Sequence, residues 1–256
     1  MILEKDENYF VVKGAYDKDK KEWRYGGGEY DSYNMIIYKK DKLKVISNDY
    51  MNIYYVDPSV EKFFNKTEGI YKDILRFYNG NLFKRHELSI LDIASVSPAL
   101  TSGGGYRRKD LIFLANVEND LMFEWFLVYE AAHEWCEGVD TSTWEDWLNE
   151  TTAEWASLLY ALEYDKNDLF RFIIDQKLER VGNNSYPPIM TADGSRPDGV
   201  HDKGSVLFYD IYKKHGRAVL EKMVRAFTDL EIKITENYIK HIEKNISGEA
   251  AEEIRN

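Results

Sequence analysis

The feature that most constrains the fold is a change of pattern near Asn116. Before it, short runs rich in β-branched and aromatic residues are separated by Gly, Asp, Asn and Lys, as in strands joined by turns. After it, apolar residues recur at intervals of three and four, as on one face of a helix. A β-rich part followed by a mainly helical part predicts an α+β fold.

The first part of the chain contains six runs that predict strands and one that predicts a long helix. The helix begins at Asp57-Pro58, an N-cap followed by proline at the first helical position, and is predicted to end at Gly80. The segment 39–42, KKDK, is typical of a tight hairpin. The predicted strands are 9–14, 33–40, 43–48, 51–56 and the more apolar, buried pair 88–96 and 111–116.

The second part predicts six helices and one long polar loop. The loop, 182–199, holds three of the five prolines, and loops of that length within a compact domain are often functional. We predict a single domain, 1–256, with a β-rich subdomain at 1–118 and a helical one at 119–256. The predicted helices are 119–137, 144–163, 167–180, 202–215, 217–228 and 234–245.

Composition excludes several classes of function. A formal net charge of −11 argues against nucleic acid as a partner, which needs a clustered basic surface. The single cysteine, Cys136, excludes an internal disulfide and a cysteine-rich zinc site. The charged start MILEKDENYF lacks the apolar run of a signal peptide, and no run reaches the roughly 18 apolar residues of a membrane span. We therefore expect a cytoplasmic protein with no membrane partner.

The segment 129–137, YEAAHEWCE, is the strongest candidate for chemistry. On a helix, residues four apart share one face, so His133 and Glu137 can hold one metal ion and Glu134 can reach a water bound to it. Glu150 or Glu154, one turn apart on the next predicted helix, can supply a third ligand. An exposed helix also carries such residues by chance, so this pattern alone does not decide.

Four other segments, taken in order, carry a resemblance to one family. WLNETTAEWASLL (147–159) resembles a W-L-N-E-G-x-A-E-Y motif, and SGGGYRRKDLIFLAN (102–116) stands where that family has a G-x-M-E-N strand. FYNGNLFKRHELSILDIASV (77–96) and VHDKGSVLFYDIYKKHG (200–216) resemble its turn and core strand and its Y-E-K-G helix. The family is that of the aminopeptidase N-like gluzincin metallopeptidases. The resemblance, over roughly residues 50–230, implies a thermolysin-like zincin catalytic domain.

The resemblance implies a role for each matched residue. His133 matches the first zinc ligand, Glu134 the general base and Glu150 the third zinc ligand, so zinc is the implied cofactor. Among the departures from the family, Glu137 replaces the second histidine, and His201 stands in place of the tyrosine that stabilises the oxyanion. An imidazolium can also donate a hydrogen bond to an oxyanion, so His201 remains a catalytic candidate.

A His/Glu/Glu ligand set changes the expected chemistry of the ion. Each carboxylate cancels one unit of the ion's charge, which weakens its pull on the proton of a bound water. Oxygen ligands also favour harder ions such as manganese. Zinc, another divalent ion or no ion at all therefore remain open.

The glycine-rich segment before the strand at 111–116 is the candidate substrate contact. Gly104 and Gly105 would let an extended peptide pair with the backbone as an added strand, although an ordinary turn explains the glycines equally well. The family's amine-anchoring Glu has no match here. Tyr106, Arg107 or Arg108 falls at its place, and an arginine there would favour an acidic or carboxylate substrate.

Two functions remain open, with a third much weaker. The first is a metallopeptidase-like hydrolase that acts on peptides or small molecules through a metal-activated water. The second is an inactive descendant that binds peptides or serves as a scaffold. The third is a di-iron carboxylate bundle, suggested by Glu130-Ala-Ala-His133, but such bundles need two Glu-x-x-His motifs and the chain has one.

Overall fold

The computed structural model describes residues 2–4, 8–12, 14–20, 22–25, 36–83, 91–97, 104–108, 111–115 and 119–255. The chain divides into two compact units, Met1–Glu68 with Ser89–Glu118, and Gly69–Leu88 with Asn119–Asn256. The first is β-rich and the second is helical, so the predicted α+β class is confirmed. The single domain remains a prediction.

The described strands of the first unit are β1 Ile2–Glu4, β2 Tyr9–Val11, β3 Gly14–Asp17, β4 Glu22–Tyr25, β5 Ile37–Lys39, β6 Lys44–Ser47, β7 Met51–Tyr55, β8 Leu91–Val96, β9 Gly105–Arg108 and β10 Leu111–Ala115. Five of them form a sheet with the order β6-β7-β8-β10-β9. Strands β7, β8 and β10 run parallel at its centre, while β6 and β9 are antiparallel edge strands. Two small antiparallel sheets, β1-β4-β3 and β2-β5, lie in the same unit.

The central strands confirm the two predicted buried runs. Every residue of β8 and of β10 is buried, as expected for parallel strands covered on both faces. In β7 burial alternates, with Met51, Ile53 and Tyr55 buried, which is the pattern of a strand with one face in the core.

The hairpin predicted at 39–42 is wrong, although the turn itself forms. Leu43 N–H donates to Lys39 O at 3.0 Å, but β5 pairs with β2, and β6 pairs with β7. The β6–β7 connection is a local turn in which the Asn48 side chain accepts from Tyr50 N–H and Met51 N–H at 2.9 and 3.0 Å. The Asn48 side chain thus stabilises the turn between β6 and β7, which favours pairing of β6 with β7 over pairing with β5.

The helical unit contains most of the second half of the chain. Helix α1 begins in the first unit after a 3-10 turn at Pro58–Val60, whose N-cap Asp57 accepts from Ser59 N–H at 2.9 Å, as the Asp-Pro pair predicts. A π-helical turn, Arg76–Leu82, follows α1. The helices are α1 Glu61–Leu75, α2 Asp120–Ala132, α3 Trp147–Glu163, α4 Asn167–Asn183, α5 Val200–His215, α6 Arg217–Asp229, α7 Thr235–Asn245 and α8 Gly248–Arg255. The last of these was not predicted.

Helix α3 is the centre of the helical unit. Its residues 147–161 are all buried, and it packs against α2, α4, α5 and α6. Gly204 lets α5 approach α3 closely, because a Cβ there would stand 1.9 Å from Thr151 Oγ1. This approach sets His201, on the first turn of α5, against Glu150 of α3. None of the described helices is both long and apolar enough to cross a membrane.

Candidate active site

Helix α2 ends at Ala132, so the predicted helix 119–137 is wrong at its C-terminal end. His133 is the C-cap, and the N–H groups of the next three residues fold back onto the carbonyls of Ala131 and Ala132. Trp135 explains the turn, because its ring is buried against Phe83, with the two ring centroids 5.1 Å apart. His133 and Glu137 therefore do not share one face of a helix.

Glu137 lies beyond this turn and is exposed. Its backbone carbonyl accepts a hydrogen bond from Lys233 Nζ. The next residue, Gly138, has φ 110°, a left-handed conformation that favours glycine. Glu137 as a metal ligand remains a prediction, but it no longer has the support of a helical face shared with His133.

Glu150, on the first turn of α3, is the centre of the candidate site. Its Oε2 accepts a hydrogen bond from the Tyr129 hydroxyl and lies 2.8 Å from His201 Nδ1. His133 Nε2 lies 3.8 Å from the same oxygen, while Arg196 Nη2 donates to Oε1 at 3.4 Å. His133, a predicted metal ligand, and His201, a predicted catalytic residue, thus both lie beside the carboxylate of Glu150, another predicted metal ligand. Glu154, the other candidate for the third metal ligand, contacts Trp125 and Lys177 instead.

The surroundings of Glu150 set its charge state. Burial raises the pKa of Glu150, but its interactions with His201, His133 and Tyr129 outweigh burial and hold the pKa well below its usual range. The carboxylate is therefore ionised whenever the protein is folded at neutral pH, and it needs a positive partner.

Arg196 supplies that positive partner, and sequence reasoning missed it. Its Nε donates to Asp146 Oδ2 at 2.6 Å, and its Nη2 lies 3.0 Å from His201 Nε2. A guanidinium can only donate, so His201 Nε2 accepts and the proton on Nδ1 is donated to Glu150. One arginine therefore links two buried carboxylates and fixes the orientation of the imidazole.

The loop 184–199 holds Arg196 in place through backbone pairing with the segment 140–144. Arg196 N–H donates to Ser142 O at 3.1 Å, Trp144 N–H donates to Gly194 O at 3.2 Å, and Thr143 and Ser195 form a β-bridge. The sequence predicted this loop to be functional from its length and prolines. Its position beside Glu150 supports that expectation, although no local motif identifies Arg196.

Glu154 is part of the core of the helical unit. Its Oε1 accepts from Trp125 Nε1 at 2.7 Å, and its Oε2 forms an ion pair with Lys177 Nζ at 2.7 Å. Both carboxylate oxygens thus hold α2 and α4 onto α3, which is a structural role. Glu134, the predicted general base, is half-buried in the turn that follows α2.

The predicted substrate-contacting residues lie in the first unit. Gly104 precedes β9, and Gly105, Tyr106 and Arg107 belong to it, at an edge of the five-stranded sheet. Tyr106 stacks on Phe113 with ring centroids 4.4 Å apart, and Arg107 is buried. The Tyr106 side chain therefore packs within the unit, and contact of these four residues with a substrate remains a prediction.

The residues around Glu150 do not fit a zinc ion as they are arranged. Among the described residues, no group of three or more His, Cys, Asp or Glu side chains is placed to hold a metal ion. Glu150 already accepts from Tyr129, His201 and Arg196, and an ion beside it would meet the like charge of the guanidinium.

Comparison with known proteins gives a fold but no sequence family. No family model matches the chain, and no curated protein matches it by sequence. Solved structures do match: an M1 zinc metallopeptidase from Deinococcus radiodurans has 14% identity and a TM-score of 0.58 over 86% of this chain and 52% of that one. Leukotriene A4 hydrolase from Saccharomyces cerevisiae has 14% identity and a TM-score of 0.65 over 96% and 42%.

A third match is a two-domain M1 zinc metallopeptidase mutant bound to L-tryptophan, with 16% identity and a TM-score of 0.63 over 86% and 52% of the two chains. The chain thus spans about half the length of these proteins or less. At such identities the likeness shows the fold alone: the chain shares the fold of M1 metallopeptidases. The predicted resemblance is confirmed at that level.

Cys136 is expected to be inert in the folded protein. The thiol is fully buried, and burial raises its pKa to about 12, so almost no thiolate exists at pH 8. Ellman's reagent at pH 8 should detect no thiol in native protein and one thiol per chain in guanidinium chloride, with N-acetylcysteine as the reactive control. Rapid reaction of the native protein would show that the turn after α2 opens.

Proposed function

We propose that this chain is a non-hydrolytic peptide-binding protein built on the fold of M1 metallopeptidases. The observation that carries the proposal is the occupied carboxylate of Glu150. By resemblance this residue matches the third zinc ligand, yet both of its oxygens interact with donors of the chain itself, from Tyr129, His201 and Arg196. A carboxylate whose charge and lone pairs are already used has little to offer an ion.

Peptide binding is supported by the position of β9. No described strand pairs with the outer side of this edge strand. Gly104 O accepts from Ala115 N–H at 2.9 Å, so by the alternation of an antiparallel ladder the main chain of Gly105 points away from β10. An extended peptide can add to such an edge as a further strand. Recognition would then be through the main chain, since Tyr106 packs on Phe113.

The hydrolase remains the second candidate, favoured by the fold that the chain shares with zinc metallopeptidases. In that function His133, Glu137 and Glu150 would hold the zinc, with Glu134 and His201 as catalytic groups. It requires Arg196 to leave Glu150 and the turn at 133–137 to rearrange, which is why we rank it second.

One set of measurements on wild-type protein separates the two candidates. The protein, purified without a histidine tag, is dialysed against Zn²⁺ or Mn²⁺ and assayed for bound metal and for cleavage of a quenched peptide library. We expect well below one ion per chain and no cleavage. One zinc per chain, with cleavage lost in Glu134→Gln, would establish the hydrolase instead.

Binding of uncleaved peptides is then measured by fluorescence anisotropy. Gly105→Pro removes an outward N–H group and is expected to weaken binding, whereas Gly105→Ala keeps that N–H and is the matched control. Equal binding by both variants, with both folded, would place the peptide elsewhere.

A further inference from the structure

We infer that strand β6 pairs with the β6 strand of a second copy of this chain, so that the five-stranded sheets of two copies join antiparallel about a two-fold axis. In the described part of the chain, β6 pairs with β7 alone, which leaves its other side open. The opposite edge of the same sheet, β9, is the one proposed to take a peptide, and it stays free in such a dimer. The inference therefore goes beyond the proposed function and does not depend on it.

The main-chain groups of Val45 and Ser47 point outward from this edge. Asn48 N–H donates to Met51 O at 3.0 Å, and these two residues continue the register of the β6–β7 ladder as a hydrogen-bonded pair. Hydrogen-bonded and non-hydrogen-bonded pairs alternate along an antiparallel ladder, so Ile46 bonds to β7 while its two neighbours do not. Val45 and Ser47 therefore offer two N–H and two C=O groups to a further strand.

The side chains along β6 leave this edge accessible and partly apolar. Val45 is 48% exposed, and Ser47 is exposed as well. A β-branched apolar residue on an open edge strand favours edge-to-edge association. Lys42 and Lys44, which are also exposed, oppose pairing with a basic partner strand, so the partner must bring negative charge to this end of β6.

A second copy of β6 brings that charge in the required place. Lys42 and Lys44 lie at the start of the strand, and the exposed Asp49 lies in the turn after its end. Antiparallel pairing of Val45 with Ser47 of the other copy uses all the outward main-chain groups and sets the basic start of each strand beside the acidic end of the other. Parallel pairing would bring like charges together. The charge order along β6 thus favours its own antiparallel copy.

The first test is sedimentation velocity of the wild-type protein at concentrations up to about 500 µM, because one short strand pair gives a small interface and a weak dimer. We expect the average mass to rise with concentration from that of one chain toward that of two. Val45→Pro removes an outward N–H group, at an edge position where proline is tolerated, and should abolish the rise. Val45→Thr keeps the N–H group and the β-branched shape and is the matched control, which should still dimerise.

The second test exchanges charges and leaves the backbone of β6 intact. Lys42→Glu and Asp49→Lys each put like charges at both ends of the strand pair, so each variant alone should dimerise at least about tenfold more weakly than wild type. In an equal mixture of the two variants, a mixed dimer has unlike charges at both ends again. The mixture should therefore dimerise at concentrations where neither variant does, even if Val45→Pro fails to fold.

Three results would overturn the inference. The first is a wild-type protein that stays monomeric at every concentration. The second is a mixture of Lys42→Glu and Asp49→Lys that dimerises no better than either variant alone. The third is a dimer that persists in folded Val45→Pro but is lost in Gly105→Pro, since the two copies would then meet through β9. Recovery of the dimer in the mixture, together with its loss in Val45→Pro, supports pairing through β6.

Discussion

Replacing Lys177 by methionine is expected to lower the free energy of unfolding by about 3–5 kcal/mol, because it leaves the buried Glu154 carboxylate without its counter-ion and the buried Asp202 carboxylate with only the half-exposed Arg180, 3.6 Å away. Lys177 is 3% exposed, and its Nζ lies 2.7 Å from Glu154 Oε2 and 3.4 Å from Asp202 Oδ1. Urea unfolding followed by circular dichroism measures the loss. The ammonium group also donates to His201 O at 3.2 Å, so its removal loosens the start of α5 beside Glu150.

The matched control is Lys213→Met, which removes an ion pair of the same residue types on the surface. Lys213 and Asp210 are about half exposed and 2.7 Å apart. Such pairs contribute about 0–1 kcal/mol, so we expect a small change. Adding Glu154→Gln to Lys177→Met removes the unpaired charge and should recover part of the lost free energy of unfolding. If Lys177→Met cost no more than the control, the buried ion pair would not stabilise the helical unit.

Gly204→Ala is the second large effect, expected to destabilise the protein by about 1–3 kcal/mol or more through overpacking. The added methyl group would stand 1.9 Å from Thr151 Oγ1, 3.0 Å from Trp147 Cε3 and 3.1 Å from Thr151 Cβ, so rotation of the Thr151 side chain alone does not make room and α3 and α5 must separate. Urea unfolding measures the loss. Because the same contact holds His201 against Glu150, the nuclear magnetic resonance signals of the His201 ring should shift as well.

Two variants test the cause of that effect. Gly69→Ala, in helix α1 with open space around its Cβ position, should stabilise the protein by about 0.5–1 kcal/mol through helix propensity. Thr151→Ala removes the opposing hydroxyl, which has no hydrogen-bond partner among the described residues, and should restore part of the stability lost in Gly204→Ala. If it restored none, contact with the Thr151 hydroxyl would not be the cause.

The parts of the fold that sequence predicted are those set by local pattern. The buried strands β8 and β10 follow from continuous apolar runs, and the start of α1 follows from Asp57-Pro58. The end of α2 could not be predicted in this way. Trp135 and Cys136 fit the helical pattern, but the burial of Trp135 against Phe83, far along the chain, forms a turn instead.

Three residues of the candidate site were predicted individually, but their arrangement was not. His133, Glu150 and His201 were named from motif positions, and the structure brings them together at one carboxylate oxygen. Arg196 was missed because its partners, Asp146 and Glu150, are 50 and 46 residues away in sequence. A lone arginine in a polar loop carries no local signal, so only the fold of loop 184–199 reveals its role.

In the proposed function, the guanidinium of Arg196, and not a metal ion, neutralises Glu150. The most direct measurement is a crystal structure of the wild-type protein grown with Zn²⁺, with anomalous data collected at the zinc edge. We predict Arg196 in contact with Glu150 and Asp146, and no anomalous peak beside the Glu150 carboxylate. A zinc ion bound to His133 and Glu150, with Arg196 displaced, would contradict the account.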